Sequence, residues 1–112
     1  MKSEAELMAE RKLLRERRIR GTVLKLVRDN HQAQISRMDD LDVWTMLQKI
    51  FTGVGREQVW TLLQDMSVLG YLEFESHTDE MSGFPRFEHI QLTAAGLRLV
   101  SAGRSNEDIE LR

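Results

Sequence analysis

The hydrophobic repeat of this chain changes period twice, and those two changes restrict the folds open to it. Through "GREQVWTLLQDMSVLGY" the apolar residues Val59, Leu62, Leu63, Met66 and Leu69 recur with helical spacing. After Gly70, placed where a left-handed helix cap belongs, the period drops to two. "YLEFES" alternates Leu72 and Phe74 with Glu73 and Glu75, as a half-buried antiparallel strand does. The polar "HTDEMSGFP" reads as a loop, and "RFEHIQL" resumes the alternation through Ile90 and Leu92, which predicts a hairpin. "LTAAGLRLV" then returns to helical spacing. A lone hairpin is marginal, so helices must cover one of its faces.

The exit from the hairpin carries its own signals. Thr93 fits an N-cap, with Leu92 positioned to pack on Leu97 as a hydrophobic staple. Gly96 in the first turn costs roughly 1 kcal/mol relative to alanine, which points to close approach by another backbone. Gly103 can end this short helix, and "RSNEDIELR" holds too few apolar groups to stay ordered unaided. Residues 103–112 are therefore expected to form a polar tail.

Upstream, no proline interrupts Glu4 to Asn30, and Leu7, Leu14, Ile19, Val23 and Val27 mark a long helix. Its better-buried part runs from Ile19 to Val27. Residues 1–17 carry a thin seam of Leu7, Leu13 and Leu14, an extension suited to a partner helix and hence a candidate dimer arm. In "HQAQISRMDDLDVWTMLQKIF", Ser36 and Asp39 resemble a capping box that starts a helix near Arg37. Its predicted apolar face is Met38, Leu41, Trp44, Leu47 or Gln48, and Phe51. Asp39, Asp40 and Asp42 read as charges favoured at a helix start, because aspartates so spaced on a helix do not converge on a metal. "TGVG" then makes a tight interhelical turn.

At 112 residues, with 41% hydrophobic and 30% charged residues, the chain suits one small domain. It contains no cysteine, which removes disulfides and thiolate metal sites. The charged "MKSEAELMAE" lacks the apolar run of a signal peptide, and no segment suits a bilayer span, so a soluble, cytoplasmic protein is expected. The net charge of -2 is unevenly spread: Arg11 to Arg28 holds 8 basic residues against Glu16, whereas the chain from His31 onward holds 7 basic and 13 acidic residues.

The "VGREQVWTLLQDMSVLGYLEFE" segment and the "LTAAG" after the second strand carry a resemblance. The run from Arg18 to Val100 resembles a winged helix-turn-helix domain, and its "LTAAG" is similar to the leucine-threonine-x-x-glycine ending of many bacterial winged-helix regulators. The whole layout also resembles small winged-helix proteins encoded in Mu-like phages and prophages, a family that supplies a fold but no biochemical role to transfer. The resemblance implies an α+β fold, with the winged-helix domain over 18–102 and an extended N-terminal helix before it. It further implies that helix 55–69 enters the major groove while the wing lies near the backbone or minor groove.

By that analogy Arg56, Gln58, Thr61 and Gln64 are the candidate base contacts, arginine suiting guanine and glutamine adenine. Arg11, Arg15, Arg18, Arg20 and Arg86 are the candidate phosphate contacts. The leading reading is a homodimeric, sequence-selective binder of double-stranded DNA, a phage or prophage transcriptional regulator. Against it, Arg56 is the only basic residue of the third helix, and the hairpin carries five acidic residues against Arg86. Those departures sustain an alternative, a winged helix used for protein interaction. Trp44 reads as core, while Trp60 is either an exposed interface residue or packed under the wing or against the first helix. His31, His77 and His89 are separated and no nucleophile or phosphate-loop motif appears, so neither catalysis nor a cofactor is expected. His77, Asp79 and Glu80 read as a polar loop and not a metal site.

Overall fold

A computed structural model describes residues 1–33 and 37–112 and gives an α+β arrangement. The helices are α1 (Glu4–Gln32), α2 (Asp40–Gln48), α3 (Arg56–Val68) and α4 (Ala94–Ala102), and β1 (Leu72–Thr78) and β2 (Pro85–Leu92) form an antiparallel pair. No helix among the described residues is long and apolar enough to cross a membrane.

α1 is 29 residues long and uses its second half for the core, burying Ile19, Val23, Leu24 and Val27. α2 starts at Asp40, later than the sequence suggested. Its N-cap is Asp39, whose carboxylate accepts from Asp42 N at 2.8 Å while the Asp42 carboxylate accepts from Asp39 N at 3.0 Å. The cap expected at Ser36 lies outside the described residues. An earlier start would also cost a contact: the Met38 carbonyl, in the extended approach to α2, accepts from Ile90 N of β2 at 3.0 Å. The buried face of α2 shifts accordingly to Asp40, Val43 and Leu47, with Leu41, Trp44 and Phe51 half-buried.

α3 buries Val59, Leu62, Leu63 and Met66, as its spacing predicts, and leaves Leu69 exposed. Tyr71 N returns to Met66 O at 3.0 Å, closing the helix end and aiming the chain into β1. The hairpin departs from simple alternation. Glu73 pairs with Gln91 and Glu75 with Glu88, so Phe74 faces both His89 and Ile90 across a bulge where His89 takes φ 55°. The extra residue resets the inward face, and Phe87 and Ile90 are buried instead of Ile90 and Leu92.

Thr93 caps α4 by accepting from Gly96 N at 3.0 Å, and Leu97 stays exposed despite the expected staple. Gly96 is a required glycine: a Cβ there would lie 2.2 Å from the Tyr71 carbonyl oxygen. Close backbone approach, inferred from a glycine in the first helical turn, is what the position demands.

The C-terminal segment overturns the expectation of a loose polar tail. Ile109 and Leu111 are buried in the core, and Glu110 N donates to Arg17 O at 3.0 Å. The Asn106 side chain accepts from Asp108 N and Ile109 N, both at 2.8 Å, bending the segment back toward α1. Arg17 donates to Asn106 O at 2.5 Å, Arg20 to Asp108 O at 3.2 Å and Lys25 to Leu111 O at 2.6 Å. Two well-placed apolar residues and a set of cation-to-carbonyl bonds therefore achieve what bulk hydropathy does not.

The Ser105 hydroxyl and the Arg112 backbone N–H hold the Glu110 carboxyl below its ordinary value of 4.5, with Arg17 adding charge. A lowered folded value stabilises the docked segment above the unfolded pKa, and the contribution is lost as pH falls through the folded one. Acidification below about pH 4.5 is therefore expected to loosen this segment, read as loss of the buried methyl shifts of Ile109 and Leu111 by NMR. Glu110→Gln should remove that pH response.

Candidate interaction face

The face that α3 and the wing present is set by one buried carboxylate. Asp40, the first residue of α2 and 1% exposed, accepts from Phe87 N of β2 at 3.0 Å and from Trp60 Nε1 of α3 at 3.1 Å. A polar side chain is stably buried where its oxygens find donors, and each oxygen of Asp40 accepts one of these bonds. It also sits at the positive end of the α2 dipole. The residue read as a helix-start charge thus joins α2, α3 and the wing.

Trp60 is accordingly half-buried under the wing, and the wing-tip Phe84 stacks on it with centroids 5.8 Å apart. Arg56, one turn earlier on α3, lies over both rings at 5.5 Å and 5.9 Å. This corrects its expected place on the open face. The guanidinium is half-buried against aromatic carbon, a contact contributing on the order of 1 kcal/mol, and binds the hairpin tip to α3. Trp44 is half-buried and donates to Val54 O at 2.9 Å, fixing the turn between α2 and α3.

With Arg56 turned away, the exposed surface of α3 comprises Glu57, Gln58, Thr61, Gln64, Asp65, Ser67 and Val68, the last 87% exposed. A cleft of ≈ 340 Å³ separates this helix from α1, lined by Glu16, Ile19, Arg20, Glu57, Gln58, Thr61, Leu62 and Asp65. Three of its charged groups are acidic and one is basic.

The candidate phosphate contacts divide into two sets. Arg20 holds the C-terminal segment, Arg15 donates to Thr52 O and covers the Phe51 ring, and Arg86 lies 3.7 Å from Asp39 and 3.8 Å from Glu88. Arg11 and Arg18 are exposed, and no partner of theirs occurs among the described residues. In the arm, Leu7 and Leu13 are exposed and Leu14 is half-buried.

On the outer surface of the wing, Glu75 and Glu88 face each other across the strands, a like-charge pairing that is unfavourable alone. His89 Nδ1 lies 3.1 Å from Glu75, Arg37 lies 3.1 Å from His89 Nε2, and Arg86 and His77 each approach Glu88 to 3.8 Å. Donor atoms of Glu75, Glu88 and His89 come within 4.8 Å of one another. The arginines, however, already supply the positive charge that a metal ion would bring. In the wing loop the Asp79 carboxyl is held below its ordinary range, chiefly by the Met81 backbone N–H and then by the Ser82 hydroxyl. It serves the turn.

Sequence reasoning missed Asp40, Ile109 and Leu111. The pattern offered a signal for the last two, since they are spaced two apart in an otherwise polar run. The sequence matches no family model and no curated protein.

Proposed function

We propose that this chain is a winged helix-turn-helix domain serving as a protein-interaction module, with α3 and the wing as the face it presents. The order of three helices, a hairpin and a closing helix supports the fold reading, as does the bond from Ile90 to Met38, which adds one rung to the sheet edge. The observation that carries the function is the disposition of charge. Arg15, Arg20, Arg56 and Arg86 are engaged within the domain, while Glu57, Asp65, Glu73 and Glu80 are exposed and have no ion-pair partner among the described residues. Duplex affinity rests on neutralising phosphates, and this face offers carboxylates instead. A protein partner with basic groups suits it better. The arm, with Leu7, Leu13 and Leu14, is the surface for a second copy of the chain.

DNA binding is the second reading, favoured by Gln58, Thr61 and Gln64 standing exposed along α3 and by the unpartnered Arg11 and Arg18. In that reading the protein is a phage or prophage regulator. Fluorescence-anisotropy titration against duplex fragments from its own genomic neighbourhood, at low and physiological salt, separates the two. The interaction module gives no saturable binding at either salt. Binding to one fragment that survives competitor DNA, falls steeply with salt and weakens on Arg18→Glu overturns it.

A further inference from the structure

We infer that two copies of this chain pair through their α1 arms in antiparallel orientation, an inference that rests on the arm being a homodimer surface. The arm is helical from Glu4 onward, and among residues 1–18 only Leu14, Glu16 and Arg17 are even half-buried. Leu7 at 47%, Met8 at 65% and Leu13 at 54% exposure have no core to join within their own chain. Leu7 and Leu14, seven residues apart, stand on one face of the helix. The next step along that face is Gly21, where the C-terminal segment lies so close that a Cβ would sit 1.9 Å from the Glu110 carbonyl oxygen. The seam is therefore open only along the arm, and the docked segment sets its inner limit.

Charge decides the orientation. Residues 2–10 hold Lys2 against Glu4, Glu6 and Glu10, whereas residues 11–18 hold Arg11, Lys12, Arg15, Arg17 and Arg18 against Glu16. Parallel pairing would set the basic half of one arm on the basic half of the other, and like charges at such spacing are destabilising. Antiparallel pairing sets the acidic half of each arm on the basic half of its mate. Centred between residues 10 and 11, it brings Leu7 of one copy level with Leu14 of the second copy, and Glu4 and Glu6 level with the Arg15 to Arg18 stretch. Glu10, near the two-fold axis, is already paired with Lys2 of its own chain.

The absence of cysteine makes the test direct. Light scattering on the full chain is expected to give the mass of a dimer. Under mild oxidation Arg11→Cys, close to the axis, should form disulfide-linked dimers. Leu7→Cys alone should not, but mixed with Leu14→Cys it should. Self-linking by Leu7→Cys overturns the antiparallel orientation and leaves the homodimer standing. A monomeric mass for the wild-type chain at high concentration overturns both, and neither result bears on what α3 binds.

Discussion

Asp40→Ala is expected to lower the unfolding free energy by about 3 kcal/mol or more, among the largest effects of any single substitution in this domain. The change leaves Phe87 N and Trp60 Nε1 without an acceptor in a site that is 1% exposed, so the cost includes two stranded donors as well as two lost bonds. Asp40→Asn, which keeps one acceptor oxygen of the same shape, should fall between alanine and wild type. Chemical denaturation followed by tryptophan fluorescence measures both. Because Asp40 joins α2, α3 and the wing, the alanine variant should also raise hydrogen exchange at the Trp60 indole N–H. An unchanged midpoint would mean that the carboxylate is not the tie described here.

Gly21→Ala carries the second large expectation, and its sign is the informative part. Within a free helix alanine is favoured over glycine by about 1 kcal/mol. In this fold a Cβ at position 21 would stand 1.9 Å from Glu110 O and 2.8 Å from Glu110 C, backbone atoms that cannot yield unless the segment undocks. The variant should therefore lose roughly 1 to 3 kcal/mol, as overpacked sites do. Ile109→Ala, at a fully buried position, should lose about 3 kcal/mol. If Gly21→Ala raises the melting temperature instead, the C-terminal segment does not lie against α1.

The elements with strong periodicity were legible in the sequence, and the reasons are local. The four inward residues of α3 from Val59 to Met66, the cap at Thr93 and the tight approach at Gly96 follow from spacing and backbone sterics. The start of α2 was misplaced because Ser36 and Asp39 satisfy the same capping pattern as Asp39 and Asp42, and the tertiary bond to Met38 O favours the later one. The β2 bulge was hidden because alternation through Ile90 and Leu92 looks regular until cross-strand register is known. Asp40 and the tail residues escaped notice for a shared reason: their value lies in partners far along the chain, at Phe87 and Trp60 for one and along α1 for the other.

The candidate site was legible only in residue type. Gln58, Thr61 and Gln64 are exposed as expected, but whether Arg56 reads outward or clamps the wing depends on where Phe84 falls, 28 residues away. The same holds for Arg15, Arg20 and Arg86, whose committed partners leave the α3 face acidic.

The most direct test of that central claim is a ¹H–¹⁵N correlation spectrum of the protein recorded during titration with duplex DNA at low salt. If α3 and the wing are a protein-binding face, the amide signals of Gln58, Thr61 and Gln64 stay in place throughout. Saturable shifts at those positions, reversed by added salt, would contradict the account and return α3 to the major groove.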